Sequence, residues 1–229
     1  MNLDRDFVEY ALQEYEEKKT PWCFFYHNRR HVVRMLQGFG FCVERIRMSR
    51  GFQGEPFFSR LDLMMGEAAI LFHDAAMAHG HRQEGHEKAS AEIAGKELSQ
   101  LCWSRRDVEI VKRMIEGTEV FGEPPSFECP EGGRREQNLQ EISGLARDLN
   151  LAPFLDFTAL KANEERLMCE IRCMKTKEEA EKERIEFFSE VCESLKKGEF
   201  FRSELFATAE NEQAALKNAG LMIESYKCR

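Results

Sequence analysis

Six histidines stand in this chain of 229 residues, at positions 27, 31, 73, 79, 81 and 86, and the remaining residues have none. Chance scatter does not readily confine them all to the first 86 residues. Neutral imidazole binds borderline divalent metals through a ring nitrogen, and carboxylates complete the hard side of such a site, so a histidine beside an Asp or Glu is the place to look for metal chemistry. Two stretches qualify. YHNRRH, at 26 to 31, sets His27 and His31 four residues apart, which on a helix is one turn, about 6 Å along one face. FHD, at 72 to 74, sets His73 beside Asp74 at the end of the apolar run AAILF. An unpaired carboxylate near a buried interior costs several kcal/mol, and a divalent cation is an efficient partner for it. Taken alone, an HD dipeptide more often caps or hydrogen-bonds the next loop; its combination with the opening stretch changes the balance.

The elements that must position these residues are helical throughout. Phe7, Val8, Ala11, Leu12 and Tyr15 mark an amphipathic helix that ends near Lys18, Lys19 and Pro21. A second begins near Asn28 and uses Val32, Met35, Leu36 and Phe39, before a loop at GFQGEP. A third starts at Ser59 with the capping form SRLD and runs through LMMGEAAILFHDAAMA, apolar nearly all round and therefore central. Further helices are predicted over 87–101, 104–115, 137–147, 157–174, 177–197 and 209–226, with Ser104 and Thr176 as caps and Gly198 as a stop. The stretch between Gly117 and Gly133 holds three of the six prolines and reads as a mobile loop rather than a lid. No sustained period-2 alternation or internal repeat is present. The expected architecture is all-α and single-domain over 1–229, with a metal-site core over about 22–156 and C-terminal helices over 157–229 packing on it.

A net charge of −8 argues against a general nucleic-acid or anionic-membrane surface, and no apolar run is long enough to span a bilayer. An acidic opening unlike a signal peptide and eight cysteines without a CxxC pair imply a cytoplasmic chain with reduced thiols. Cys169 and Cys173 share a helix face and could grip a soft metal, but small core residues are the commoner use of such a pair.

YHNRRH, followed about 40 residues later by FHD and then by EGHEKASAEIA, resembles the HD superfamily of metal-dependent phosphohydrolases, in particular a bacterial branch with a YHNxxH element. The C-terminal stretch ELFATAENEQAALKN is similar to the end of that branch. The resemblance implies an HD-type helical bundle and a metal held by His31, His73, Asp74 and a distant Asp, for which Asp148 in ARDLNLAPFL is the candidate and Asp156 the fallback. It also implies that His27 protonates the leaving group, as the matching histidine of cyclic-nucleotide phosphodiesterases does. Two departures stand out. The family's second Asp is here Asn150, and His86 precedes Glu87 where relatives have Asn. Among the additional histidines, His86 is the best candidate for a second ion, ahead of His79 and His81, which flank a glycine in a turn.

A site of two histidines and two aspartates leaves coordination positions open for water, whose pKa a divalent ion lowers towards 7. The expected activity is hydrolysis of a phosphate ester in a small molecule, a nucleotide being the leading case. Glu87 or Asp74 would orient the water, and Arg29 and Arg30, with Asn28 beside them, would hold phosphate oxygens. The donor set suits Mn, Fe, Co, Ni, Zn or Mg. Two alternatives follow from the same residues: a di-iron oxygenase on the HD scaffold, which needs the additional histidines as ligands, and a non-catalytic protein that binds a nucleotide or metal.

Overall fold

Short polar side chains set many of the helix starts. Ser59 accepts a hydrogen bond from the Asp62 backbone N–H, Ser104 from that of Asp107, Asp156 from that of Ala159 and Thr208 from that of Asn211. Each bond satisfies a donor that the first helical turn leaves without an intrahelical partner. At Thr176 the cap is reciprocal, because Glu179 also accepts from the Thr176 N–H.

The structure, a computed structural model, describes residues 3–17, 27–49, 57–78, 85–128 and 133–228. Among these residues the fold is all-α, without strands. The helices are α1 (Arg5–Glu17), α2 (Arg29–Ser49), α3 (Arg60–Phe72), α4 (Ala75–Ala78), α5 (His86–Gln100), α6 (Arg105–Glu116) and α7 (Gly133–Leu151). A 3-10 turn (Ala152–Leu155) leads to α8 (Phe157–Ile171), α9 (Lys177–Lys197) and α10 (Ala209–Lys227). The GFQGEP loop, Lys18, Lys19, Pro21, His79 and His81 lie outside the described residues.

The apolar third helix is central, as its composition requires. Helix α3 packs against α1, α2, α5, α6 and α7. Gly66 permits the close approach of α2 and α7, since a Cβ there would stand 2.5 Å from Ile142 Cγ2 and 2.7 Å from Phe39 Cζ. On the C-terminal side, α9 and α10 pack together, and α10 also meets α8 and the 3-10 turn. Gly198, at φ +70°, ends α9 in the left-handed conformation that glycine adopts without strain. On the same side the ring of Phe154 packs against those of Phe188 and Phe200, with centroids 5.8 Å and 5.2 Å away.

Two departures from the sequence reading bear on the site. The helix expected to run unbroken from Ser59 to Ala78 is interrupted at His73 and Asp74, which form a turn between α3 and α4. The Ala76 N–H, which an unbroken helix would direct at Phe72, donates to Ser90 Oγ of α5 at 3.0 Å. A tertiary partner thus replaces a helical one. The irregular stretch after Gly117 is also fastened rather than loose over residues 117–122. Arg147 donates to the Glu119 and Val120 carbonyls, and Arg202 to those of Gly117 and Gly122.

Candidate metal centre

Asn28 begins the helix that carries the first metal-ligand candidate. Its Oδ1 accepts from the backbone N–H groups of Arg30 (2.9 Å) and His31 (3.3 Å), which is an N-cap bond. His31 therefore enters on the first turn of α2 and is buried against the end of α3. His73 closes α3, and the turn after it swings Asp74 onto the same side. Three atoms converge: His31 Nε2 lies 3.3 Å from His73 Nε2 and 3.7 Å from Asp74 Oδ2, and His73 Nε2 lies 2.9 Å from Asp74 Oδ2.

These separations match what a small cation requires. A triangle of sides 3.3, 3.7 and 2.9 Å has a circumscribed radius of about 1.9 Å, so a point slightly off its plane is about 2.0–2.2 Å from all three atoms, the usual bond length to His nitrogen and carboxylate oxygen. Protonation agrees. His73 Nδ1 is 2.8 Å from the Ile70 carbonyl, which can only accept, so Nδ1 carries a proton and Nε2 is the nitrogen that can take a cation, whether a metal ion or a proton. Nε2 faces Asp74 Oδ2, itself an acceptor, buried and without a hydrogen-bond partner among the described residues. Acceptors so arranged call for a positive species between them. Among the described residues, His31, His73 and Asp74 are the group that could hold a metal ion.

The electrostatics say the same. Burial lowers the His31 pKa to about 3, against the raising influence of Asp74, so its ring is neutral and able to coordinate at ordinary pH. Burial would push Asp74 up, but the neighbouring His73, with His27 and His86, holds it well below the usual carboxylate range. His73 moves upward: burial opposes its charge, and the Asp74 carboxylate outweighs burial. Without a metal, a proton takes the position between them.

A cavity of about 250 Å³ opens beside this group, and His27, His73, Asp74, His86 and Glu87 line it together with Thr118. The His27 ring is held by a residue that sequence reasoning missed. Glu170 of α8 accepts from His27 Nδ1 at 2.7 Å and from the His27 backbone N–H at 3.0 Å. Nδ1 is thereby turned to Glu170, and any acid–base role falls to Nε2. His86 Nε2 stands 3.6 Å from the other oxygen of Asp74, Oδ1, and 3.4 Å from Glu87 Oε1. Burial opposes the charge of His86, yet Asp74 and Glu87 raise its pKa overall.

Other expected residues stand elsewhere. Asp148, the expected fourth ligand, is not in the group. Its carboxylate accepts from the backbone N–H groups of Arg202 and Ser203, from the Ser203 hydroxyl and from Arg147. Those bonds clamp the 200–203 segment; the oxygens are spent on structure. Asp156 is the exposed N-cap of α8. Asn28 caps α2, Arg29 pairs with Glu9 at 2.8 Å, and Arg30 is exposed; none of the three lines the cavity. The wall contributed by α8 and α9 was also missed: Asn163, Glu164 and Arg184 line the cavity. One signal was available, since Glu164 falls in register with the apolar Leu160, Met168 and Ile171, where a carboxylate needs a partner. No family model and no curated protein matches this chain.

Proposed function

We propose that this protein is a metal-dependent hydrolase of a phosphate ester in a small molecule, with a nucleotide as the leading substrate. The observation that carries the reading is the convergence of three acceptor atoms, from His31, His73 and Asp74, at one wall of a cavity also lined by His27. A divalent cation held there supplies a water of lowered pKa and offsets charge on phosphoryl oxygens. The chain's own residues do the rest. His27, oriented through Nδ1 by Glu170, holds at Nε2 the proton that a departing alkoxide needs. Glu87 and His86, 3.4 Å apart at the cavity wall, are placed to accept hydrogen bonds from, or donate them to, an attacking water. The likeness of YHNRRH and FHD to the HD superfamily supports the same chemistry.

A second reading is favoured by one observation, the approach of His86 Nε2 to within 3.6 Å of Asp74 Oδ1. That arrangement would let His86 and Glu87 serve a second ion, and with two irons an oxygenase. Iron content and oxygen consumption separate the readings. The decisive experiment is metal analysis with a phosphatase and nucleotide panel on wild type and Asp74→Ala. The reading requires that the variant lose both metal and hydrolysis; retention of both overturns it.

A further inference from the structure

The side of the cavity formed by α8 and α9 carries polar groups that the hydrolytic machinery does not use. Arg184 is only 9 % exposed. Its Nε and Nη2 donate to the two oxygens of Glu164 at 2.7 and 3.0 Å, and the Tyr226 hydroxyl donates to the same carboxylate at 2.6 Å. The guanidinium lies 4.1 Å from the ring centroid of Phe187 and 5.2 Å from that of Phe188. Three of its sides are thus occupied. The remaining nitrogen, Nη1, has no partner among the described residues, and Arg184 lines the cavity. Asn163, one residue before Glu164, is 7 % exposed, and its side-chain amide likewise has no hydrogen-bond partner among the described residues.

We propose that Arg184 and Asn163 form a recognition subsite for an uncharged, planar group that carries a carbonyl beside an N–H, as a pyrimidine or purine base does. The inference deepens the phosphohydrolase reading, sharing its cavity, by assigning the part of the substrate away from the phosphate. The geometry chooses the chemical class. A guanidinium bonded through two nitrogens to a carboxylate is neutral as a pair, so a second phosphate would meet no net positive charge and would sit close to the buried Glu164. The Nη1 edge still donates, and the Asn163 amide both donates and accepts. Together they complement a carbonyl and an N–H on one edge of a ring. Leu160, Leu167 and Phe187 on the same lining supply apolar surface for its face. Glu164, Tyr226 and the two phenyl rings hold Arg184 in place before any ligand arrives, which lowers the ordering cost of binding.

The test is calorimetric titration of the full chain, kept metal-free with chelator, with uridine, inosine, ribose and ribose 5-phosphate. Uridine or inosine is expected to bind at least tenfold more tightly than ribose or ribose 5-phosphate. Asn163→Leu, close in volume, is expected to weaken that binding at least tenfold with an unchanged melting temperature. Glu164→Gln removes the neutralising charge and is expected to raise the affinity for ribose 5-phosphate relative to uridine at least tenfold. Nucleosides that bind no better than ribose, an Asn163→Leu protein that binds them as wild type does, or an unchanged preference in folded Glu164→Gln overturns the subsite. Should Glu164→Gln fail to fold, Asn163→Leu decides alone. The titration needs neither metal nor turnover. A manganese-loaded protein that hydrolyses no phosphate ester yet binds nucleosides defeats only the hydrolase reading, whereas hydrolysis without nucleoside preference defeats only the subsite.

Discussion

Asp74 and Asp148 are both buried, both sit at or near the end of an α-helix, and both have a basic residue immediately before them, yet they have opposite surroundings. Asp148 is saturated: two backbone N–H groups, a hydroxyl and a guanidinium donate to it. Among the described residues, Asp74 Oδ2 meets the ring nitrogens of two histidines, at 2.9 and 3.7 Å, and has no hydrogen-bond partner. Burial raises the pKa of Asp148, and its donors draw it back without cancelling the rise; the neighbours of Asp74 hold it low despite burial. A carboxylate whose donors all come from the chain is part of the scaffold. One that faces two imidazole nitrogens has a place for a cation, a metal ion or a proton.

Exchanging the two for alanine breaks this contrast most directly. Asp148→Ala leaves Arg147 without its carboxylate partner and strips acceptors from the Arg202 and Ser203 amides, so it is expected to cost about 3–5 kcal/mol of stability in the presence or absence of metal. Chemical denaturation with chelator present measures it. Asp74→Ala is expected to lose less than half as much under those conditions. A larger loss from Asp74→Ala would reverse the assignment of the two carboxylates.

The next effect concerns what Asp74 gains when the cation is supplied. A ligand that binds only the folded state stabilises it by about 2.7 kcal/mol at a hundred times its Kd. Manganese or zinc at that excess is therefore expected to raise the melting temperature of wild type and Asp148→Asn, and to leave Asp74→Ala and His31→Ala where they were. Equal shifts in all four proteins would mean that the metal binds elsewhere.

These two aspartates also show how far the sequence carries. Caps such as Ser59 and Thr176 and the apolar circumference of α3 were legible because they depend on neighbours within one or two turns. His31, His73 and Asp74 were legible by residue type as a group that could hold a metal ion. Asp148 was not, since ARDL reads the same whether the carboxylate meets a metal or the amides of residues more than fifty positions on. The break at His73 depends on Ser90, and the orientation of His27 depends on Glu170, 143 residues away. Contacts of that range leave little local trace.

Glu170 extends the comparison to a second carboxylate beside a histidine, His27. It touches no reacting atom in the proposed chemistry and acts by holding His27, so it is a positioning residue. Glu170→Gln retains one acceptor for Nδ1 but removes the carboxylate that holds both the His27 ring and its backbone N–H. The expected outcome is a fall of about 10- to 100-fold in kcat with a KM changed less than threefold. A merely structural role would lower stability and leave kcat of the folded protein in place.

The smallest effect lies in the pH dependence of the metal-free fold. His31 has a folded pKa of about 3 against 6.5 when unfolded, so the unfolded chain takes up its proton first. Its contribution to stability is whole above pH 6.5 and is lost as pH falls from there towards 3. His73 works the other way: its folded pKa is raised, so its contribution is full below 6.5 and disappears as pH rises through the folded value. The two therefore change stability on opposite sides of pH 6.5. His31→Gln removes the first and leaves the second. Between pH 6.5 and 5 the variant should lose less stability on acidification than wild type does, by at most about 1.4 kcal/mol per pH unit for the one proton concerned. Denaturant titrations at these two pH values, with chelator throughout, measure the difference. If both proteins weaken by the same amount, the neutral, buried imidazole is not where the site keeps its capacity for metal.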